Sequence, residues 1–406
     1  MQVLELIARH RVLIRPRASC ESRYMNQQES NRIVALDVMR GSALLGILIM
    51  NIQAFALPIS AYFNPLVYGG FDGWDRIAWY VTRLFFDVKF LSIFSMLFGS
   101  SLVLAEGGVQ GKKRLGWLFV FGLLHGYFIF VGDILFSYAV VGFLIFPARL
   151  WSSHRQLRAG LGLLMFAPLT LLLLGLTYDG LPDSWRLELA RTVTDIDLVR
   201  ELTVFRSNYI TQLPLRAELS FSNQVLGTAF DAGWQAAGCM LLGMAAVQAK
   251  FFENPKQYIR LATGFFLVGL LITAGGIWVN TTANFAPRAW LFGQALHLVG
   301  AAGVAFGWVT LLVWLSQTSI LQKPFWYIGN LGRVAFSAYI MQSLAGLFVF
   351  GGQGLGQYGY WGRSELLIAP FVFWFIQVFL AHAWTSRFRV GPLEAFWRKL
   401  YRNGKS

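Results

Sequence analysis

Apolar residues in this chain arrive in long blocks separated by short polar breaks. A helix rising 1.5 Å per residue needs about 20 such residues to cross a hydrocarbon layer of ~30 Å. Ten windows approach that length, near 42–57, 90–105, 115–131, 134–150, 159–176, 225–247, 258–279, 289–315, 334–350 and 366–384. The pattern predicts an all-α protein, a polytopic membrane helical bundle with about ten transmembrane helices. Residues 75–88 read as an amphipathic outward continuation of the second helix. Residues 178–222 alternate acids with arginines and leucines, which predicts surface helices on an extracytoplasmic connection. The organisation is then a flexible extension (1–30), a five-helix half (31–177), that connection, a second five-helix half (223–386) and a basic tail (387–406). Two odd-numbered halves are compatible with an inverted repeat, although they share no visible sequence similarity.

The distribution of positive charge orients this bundle, because cytoplasmic loops retain Lys and Arg. Arg9 to Arg32 precede the first window, and alternate loops carry Lys112, Lys113 and Arg114, then Arg149, Arg155 and Arg158, then Lys250, Lys256 and Arg260. Lys323 and Arg333, and finally Arg387 to Lys405, continue the alternation. The intervening short loops hold few cations, with none at Gly132-Asp133 and only Arg288 and Arg363 in two others; the loop after the first window departs from this, with Arg76 and Arg83 among three aspartates. Both termini are therefore expected to be cytoplasmic. Residues 1–24 lack the apolar core of a signal peptide and read as a cytoplasmic extension or the product of a start upstream of Met25.

Composition sharpens the class. The chain is 56% hydrophobic and 13% charged, about half the charge of an average soluble domain. Its net charge of +14 sits in loops between apolar blocks, which argues against a nucleic-acid-binding face. Cys20 and Cys239 occur in unrelated contexts, so neither a disulfide framework nor a thiolate metal site is indicated. No His, Asp and Glu grouping has metal-ligand spacing, and no metal is expected.

Ionisable and polar residues inside the windows mark candidate chemistry, since lipid offers them no hydrogen bonds. Residues 114–150 read as a hairpin of two apolar spans joined at Gly132-Asp133, with His125 in the middle of the first span. Gly122, His125, Gly126 and Ile129 share one helical face, as do Asp231, Trp234, Gln235 and Gly238. Gln294 and His297 mark the eighth window, and Tyr339, Gln342, Ser343 and Gly346 the ninth. These side chains are cavity-lining candidates, the alternative being that they join helices, as Ser95 and Gly99 are expected to do. Asp133 is eight residues beyond His125 and about 80° round an uninterrupted helix, so direct pairing is not expected. Asp133 is instead placed to orient a substrate or to cap the helix that follows. At the first window, Asp37 and Arg40 share a face at the cytoplasmic boundary. They form either an interfacial ion pair or, with Arg32, an anion site. Lys89 reads as a snorkelling anchor.

Several long motifs resemble the YeiB family of bacterial inner-membrane proteins. They are Arg32-xxx-Leu36-Asp37-xx-Arg40-Gly41, residues 89–99, the run from Phe121 through His125 to Asp133 and Tyr138, and Gly332-Arg333 with Tyr339, Gln342 and Ser343. Phe388 to Arg398, with Gly391-Pro392-Leu393-Glu394, completes the set. That family is similar in turn to transmembrane acyltransferases, including heparan-alpha-glucosaminide N-acetyltransferase and the acyltransferase-3 proteins. The wider resemblance rests on the Leu36-Asp37-xx-Arg40-Gly41 opening and a comparably placed histidine. It implies a cytosolic acyl-CoA donor, an extracytoplasmic or lipid-linked amine or hydroxyl acceptor, and a histidine at the transfer point.

The residues accommodate that implication. His125 lies roughly 12 Å below the outer turn at 1.5 Å per residue and can act as base or acyl carrier, with Asp133 beside the acceptor. Arg32, Asp37 and Arg40 are the donor-binding candidates. The rival expectation is a small-molecule or lipid transporter with Asp231, Gln235, His297, Tyr339, Gln342 and Ser343 along its path. A structural or signalling role explains the buried ionisable groups least well. The expected setting is multi-pass in a bacterial inner membrane, with the lipid bilayer and a small-molecule, glycan or lipid acceptor as partners; a homo-oligomer is compatible with everything above.

Overall fold

The computed structural model describes residues 17–104 and 108–402, with side chains from Val34 onward. The extension as far as residue 16 and the side chains of Cys20 and Arg32 lie outside the described residues. Within them the chain is helical. In chain order the helices are α1 (Arg17–Ala56), α2 (Gly73–Val81), α3 (Lys89–Leu104), α4 (Val109–Phe128), α5 (Leu135–Ile145) and α6 (Ser153–Leu176). Three helices of the connection follow, α7 (Asp183–Arg191), α8 (Leu198–Phe205) and α9 (Tyr209–Phe221). Then come α10 (Ala232–Gln248), α11 (Ile259–Thr282), α12 (Pro287–Ser316), α13 (Gln322–Arg333), α14 (Ala335–Phe350), α15 (Arg363–Thr385) and α16 (Pro392–Arg402).

Each of the ten apolar windows falls on helical chain, but among the described residues six helical segments are long and apolar enough to cross a membrane, or seven if the bent pair α13–α14 counts as one span. The shortfall has simple causes. Helix α5 has 11 residues, about 16 Å at 1.5 Å each, and continues only through the 3-10 turn Phe146–Leu150. Helix α4 spends its first turns on Gln110, Lys112, Lys113 and Arg114. Helices α13 and α14 meet at Val334 with a bend of 82°. The expected amphipathic continuation before the second window exists as α2 plus a π-helical segment, Thr82–Phe86, but the chain breaks at Asp87-Val88 before α3. Residues 178–222 carry the three short helices α7, α8 and α9.

Helix α1 is the centre of the bundle. It packs against α3, α12, α13, α14 and α15, and Ala35, Val38, Met39, Ala43 and Leu44 are wholly enclosed. At the periphery, α15 turns Phe371, Phe375 and Phe379 outward, and α11 does the same with Leu271 and Trp278. An apolar exterior around a packed interior is what a bilayer environment selects. The strongest associations are α11 with α12, α10 with α3 and α6, and α1 with α13. Helices from before and after the 178–222 connection therefore interleave.

Close approach is achieved with glycine. A Cβ on Gly99 of α3 would overlap the Met240 carbonyl of α10, and one on Gly243 of α10 would overlap the Met96 carbonyl of α3. Gly41 and Gly332 do the same for α1 and α13, against the Ile328 and Asp37 carbonyls. Adding a methyl to Gly99 must push apart two backbones, so Gly99→Ala is expected to cost about 1–3 kcal/mol. Gly162→Ala, where space is open, is expected to be neutral or slightly stabilising. Thermal unfolding of the detergent-purified variants compares the two.

Candidate functional site

Helix α4 ends at Phe128 because Gly132 and its neighbours turn the chain back toward α5. That turn carries Asp133 beneath the last residues of α4, where Asp133 Oδ1 lies 2.8 Å from Nδ1 of His125. The expectation that the two would not pair assumed one straight helix, and the early end of α4 overturns it. The capping expectation for Asp133 also holds: Oδ1 accepts the Leu135 N–H at 3.1 Å, and Oδ2 the Phe136 N–H at 2.9 Å. Gln224 Nε2 donates to Oδ2 at 3.2 Å and to the Gly122 carbonyl at 2.8 Å. Four donors converge on one buried carboxylate, and an ionised carboxylate is built to accept them. With Nδ1–H of His125 donating to it, Nε2 carries the lone pair. That nitrogen is buried and has no hydrogen-bond partner among the described residues.

Sequence reasoning missed the segment that holds this pair. Ser220 Oγ donates to the Gly126 carbonyl at 2.7 Å, and Asn223 Nδ2 to the Asp133 carbonyl at 3.1 Å. The π-helical segment Ser222–Gly227 turns Asn223 and Gln224 onto the hairpin. Gly122 and Gly126 make room, since a Cβ on either would strike Phe136 backbone or the Gln224 side chain. Nothing in the spacing of Gln224 distinguishes it from an ordinary loop amide.

Beside His125, at 5.1 Å between ring centroids, stands Tyr339 of α14. Tyr339 is also in the wall of a cavity of about 640 Å³, within the range of ligand sites. Apolar residues of α3, α4 and α5 (Phe94, Leu97, Leu118, Leu135) line its interior with Phe336. Asp37, Arg40, Arg114, Arg333, Arg389 and Arg398 also border it. Arg389 and Arg398 are exposed and mark its mouth. Arg40 Nη1 donates to Asp37 Oδ1 at 2.8 Å. This is the ion pair of the first alternative.

The other singled-out residues do not line this cavity. Asp231 is exposed at a helix break, with φ −137° and ψ −88°, instead of lying on a buried stripe. Gln235 Nε2 donates to Ser92 Oγ at 3.3 Å. Gln342 Nε2 donates to Gln377 Oε1 at 2.8 Å and so joins α14 to α15, whereas Ser343 Oγ donates to the Tyr339 carbonyl at 3.2 Å within α14 itself. His297 is buried 3.2 Å from Asp87 Oδ2 in a second polar cluster. There Arg83 pairs with Asp87 and donates to Gln294 Oε1 at 2.9 Å, and the Tyr62 hydroxyl donates to Asp87 Oδ1 at 2.6 Å. Lys89 is not a snorkelling anchor: it is fully enclosed, and its Nζ donates to the Arg83 carbonyl at 2.6 Å. Between Asp87 and Lys89, Val88 takes φ 66°, a strained conformation for a β-branched residue.

Two substitutions probe these networks by thermal unfolding. Asp87→Asn leaves Arg83 and Lys89 enclosed without their carboxylate and is expected to cost about 3–5 kcal/mol. Asp133→Asn keeps one carbonyl oxygen for the Leu135 and Phe136 N–H groups, whereas Asp133→Ala strands them with His125. The alanine variant is expected to be the less stable by about 1–3 kcal/mol.

A sequence profile described as "Protein of unknown function (DUF418)" matches residues 242–403. "Uncharacterized protein YeiB" of Escherichia coli (strain K12) is 32% identical over 380 residues, covering 91% of this chain and 96% of that protein. "Uncharacterized protein YxaH" of Bacillus subtilis (strain 168) is 27% identical over 392 residues, covering 91% and 94%. "Uncharacterized 39.9 kDa protein in amylase 3'region" of Bacillus acidopullulyticus is 23% identical over 403 residues, covering 92% and 95%. No solved structure matches the chain. Identity at that level along nearly the whole length of both proteins places the chain in the YeiB family.

Proposed function

We propose that this protein is a membrane acyltransferase, moving an acyl group from cytosolic acyl-CoA to an extracytoplasmic or lipid-linked amine or hydroxyl acceptor. In this reading α1, α3 to α6, α10 to α12, α14 and α15 cross a bacterial inner membrane, with both termini cytoplasmic. The observation that carries it is the cavity: arginines at its mouth, apolar walls within, and in its lining Tyr339, whose ring lies 5.1 Å from that of His125 in the His125–Asp133 pair. A thioester donor has this layout in its own chemistry, with phosphates at one end and the acyl group at the other.

Nε2 of His125 takes the proton of the acceptor amine or hydroxyl while the acceptor heteroatom bonds to the thioester carbonyl carbon. The C–S bond then breaks, and the departing thiolate receives the proton from the imidazolium. Asp133 holds the imidazole in the required tautomer and stabilises the cation formed midway. If Nε2 instead bonds to the thioester carbonyl carbon, the C–S bond breaks, the CoA thiolate leaves and an acyl-histidine remains; the acceptor then takes the acyl group, freeing Nε2 and giving up its proton to the thiolate, and the acyl-histidine accumulates for mass spectrometry when acceptor is withheld.

One observation favours a second reading, a small-molecule or lipid transporter without acyl transfer. Arg83, Asp87, Lys89 and His297 form a buried ionic cluster outside the walls of the cavity, and such clusters mark substrate and ion paths in membrane proteins.

The purified protein with acetyl-CoA and a panel of amine and hydroxyl acceptors separates the readings. Wild type is expected to release free CoA thiol, and His125→Ala to reduce release at least about 100-fold while still binding acetyl-CoA. Equal release by the variant, or no acceptor-dependent release from well-folded wild type across the panel, removes the transferase reading. Proteoliposome uptake then becomes the assay of choice.

A further inference from the structure

We infer that the carboxy-terminal helix α16 is the clamp for the nucleotide end of the donor, with Arg398 and Arg114 gripping its phosphates. The inference rests on the acyl-CoA reading and goes beyond it by locating where that donor is recognised. Glu394, Trp397, Arg398 and Tyr401 recur at i, i+3, i+4 and i+7, so they share one face of α16, and all four border the cavity. Lys399, on the same helix, does not.

That face is fastened to the bundle at two points. Glu394 Oε1 accepts the N–H groups of Phe336 (2.7 Å) and Ser337 (3.2 Å), and Ser337 Oγ accepts the Leu393 N–H at 3.0 Å. Trp397 Nε1 donates to the Arg114 carbonyl at 3.2 Å, and the Arg114 guanidinium lies 5.1 Å from the Trp397 ring centre. With those anchors made, Arg398 reaches the mouth beside Arg114.

The charge there is one-sided. Arg40, Arg114, Arg333, Arg389 and Arg398 border the cavity against two carboxylates, Asp37 and Glu394. Both are engaged, Asp37 with Arg40 and Glu394 with the start of α14. Such a concentration of guanidinium groups suits several phosphate oxygens at once. Acyl phosphates and phosphopantetheine thioesters carry only part of that charge; a coenzyme A thioester carries a diphosphate and a ribose phosphate together.

Binding of acetyl-CoA, 3′-dephospho-acetyl-CoA and S-acetyl-pantetheine to the detergent-purified full chain tests this, with Arg398→Ala and Lys399→Ala alongside. Wild type is expected to prefer acetyl-CoA over S-acetyl-pantetheine, and Arg398→Ala to weaken acetyl-CoA about tenfold or more and shrink that preference. Lys399→Ala is expected to stay within about twofold, which excludes a mere change in net charge. If wild type binds acetyl-CoA and Arg398→Ala binds it as tightly, the clamp is overturned while acyl transfer at His125 stands. Equal weakening by Lys399→Ala and Arg398→Ala also overturns it. If wild type binds S-acetyl-pantetheine as tightly as acetyl-CoA, no nucleotide subsite exists. If it binds no thioester, the transferase reading falls with it.

Discussion

Hydrocarbon cannot accept or donate a hydrogen bond, so every polar group placed at depth must find its partners inside the protein. That constraint shapes both buried clusters. Around Asp133, a histidine, two backbone N–H groups and a glutamine amide converge on one carboxylate. Around Asp87, an arginine, a tyrosine hydroxyl and a histidine gather on another. The backbone bends to meet these demands. Helix α4 stops early so that Asp133 reaches His125, and Val88 accepts an uncommon conformation between Asp87 and Lys89. Nε2 of His125 is left without a partner among the described residues, the free end of an imidazole whose other nitrogen is held by Asp133.

Helix existence and the burial of ionisable residues were legible in the amino-acid pattern, because long apolar blocks and isolated charges are strong signals in a membrane chain. His125 and His297 stood out for that reason alone. Their partners did not. Pairing His125 with Asp133 depends on where α4 ends: Gly132-Asp133 marked the turn, but the apolar run through 128–131 gives no hint that the helix already stops at Phe128. Gln224 looked like a linker residue until the π-helical segment aimed it inward. Lys89 was read by its nearness to a helix end, yet the Arg83 carbonyl and the adjoining chain enclose it. Asp231 failed in the opposite sense, since a break at its own position removed it from the stripe on which periodicity placed it.

The Leu36–Gly41 motif midway along α1 combines two tasks that sequence alone cannot separate. Leu36 is buried in the core and Gly41 admits the Ile328 carbonyl of α13, while Asp37 and Arg40 on the same turns border the cavity. Helix packing thus sets the position of the charged pair to within the tolerance of a backbone contact. Any repositioning of α13 moves the cavity wall with it, because Gly332 and Arg333 belong to the same helix end.

The cap that Glu394 places on α14 ties two events separated in time. Helix α16 follows every long apolar helix in chain order, so it leaves the ribosome after all of them. Until it arrives, Phe336 and Ser337 at the start of α14 lack the acceptor that Glu394 provides. The cavity lacks one wall for the same interval. During synthesis, the helices that carry the His125–Asp133 pair thus emerge before the arginines at the mouth of the cavity do. A chain cut short after α15 keeps the His125–Asp133 pair and the central helix, yet has no finished chamber in which to use them.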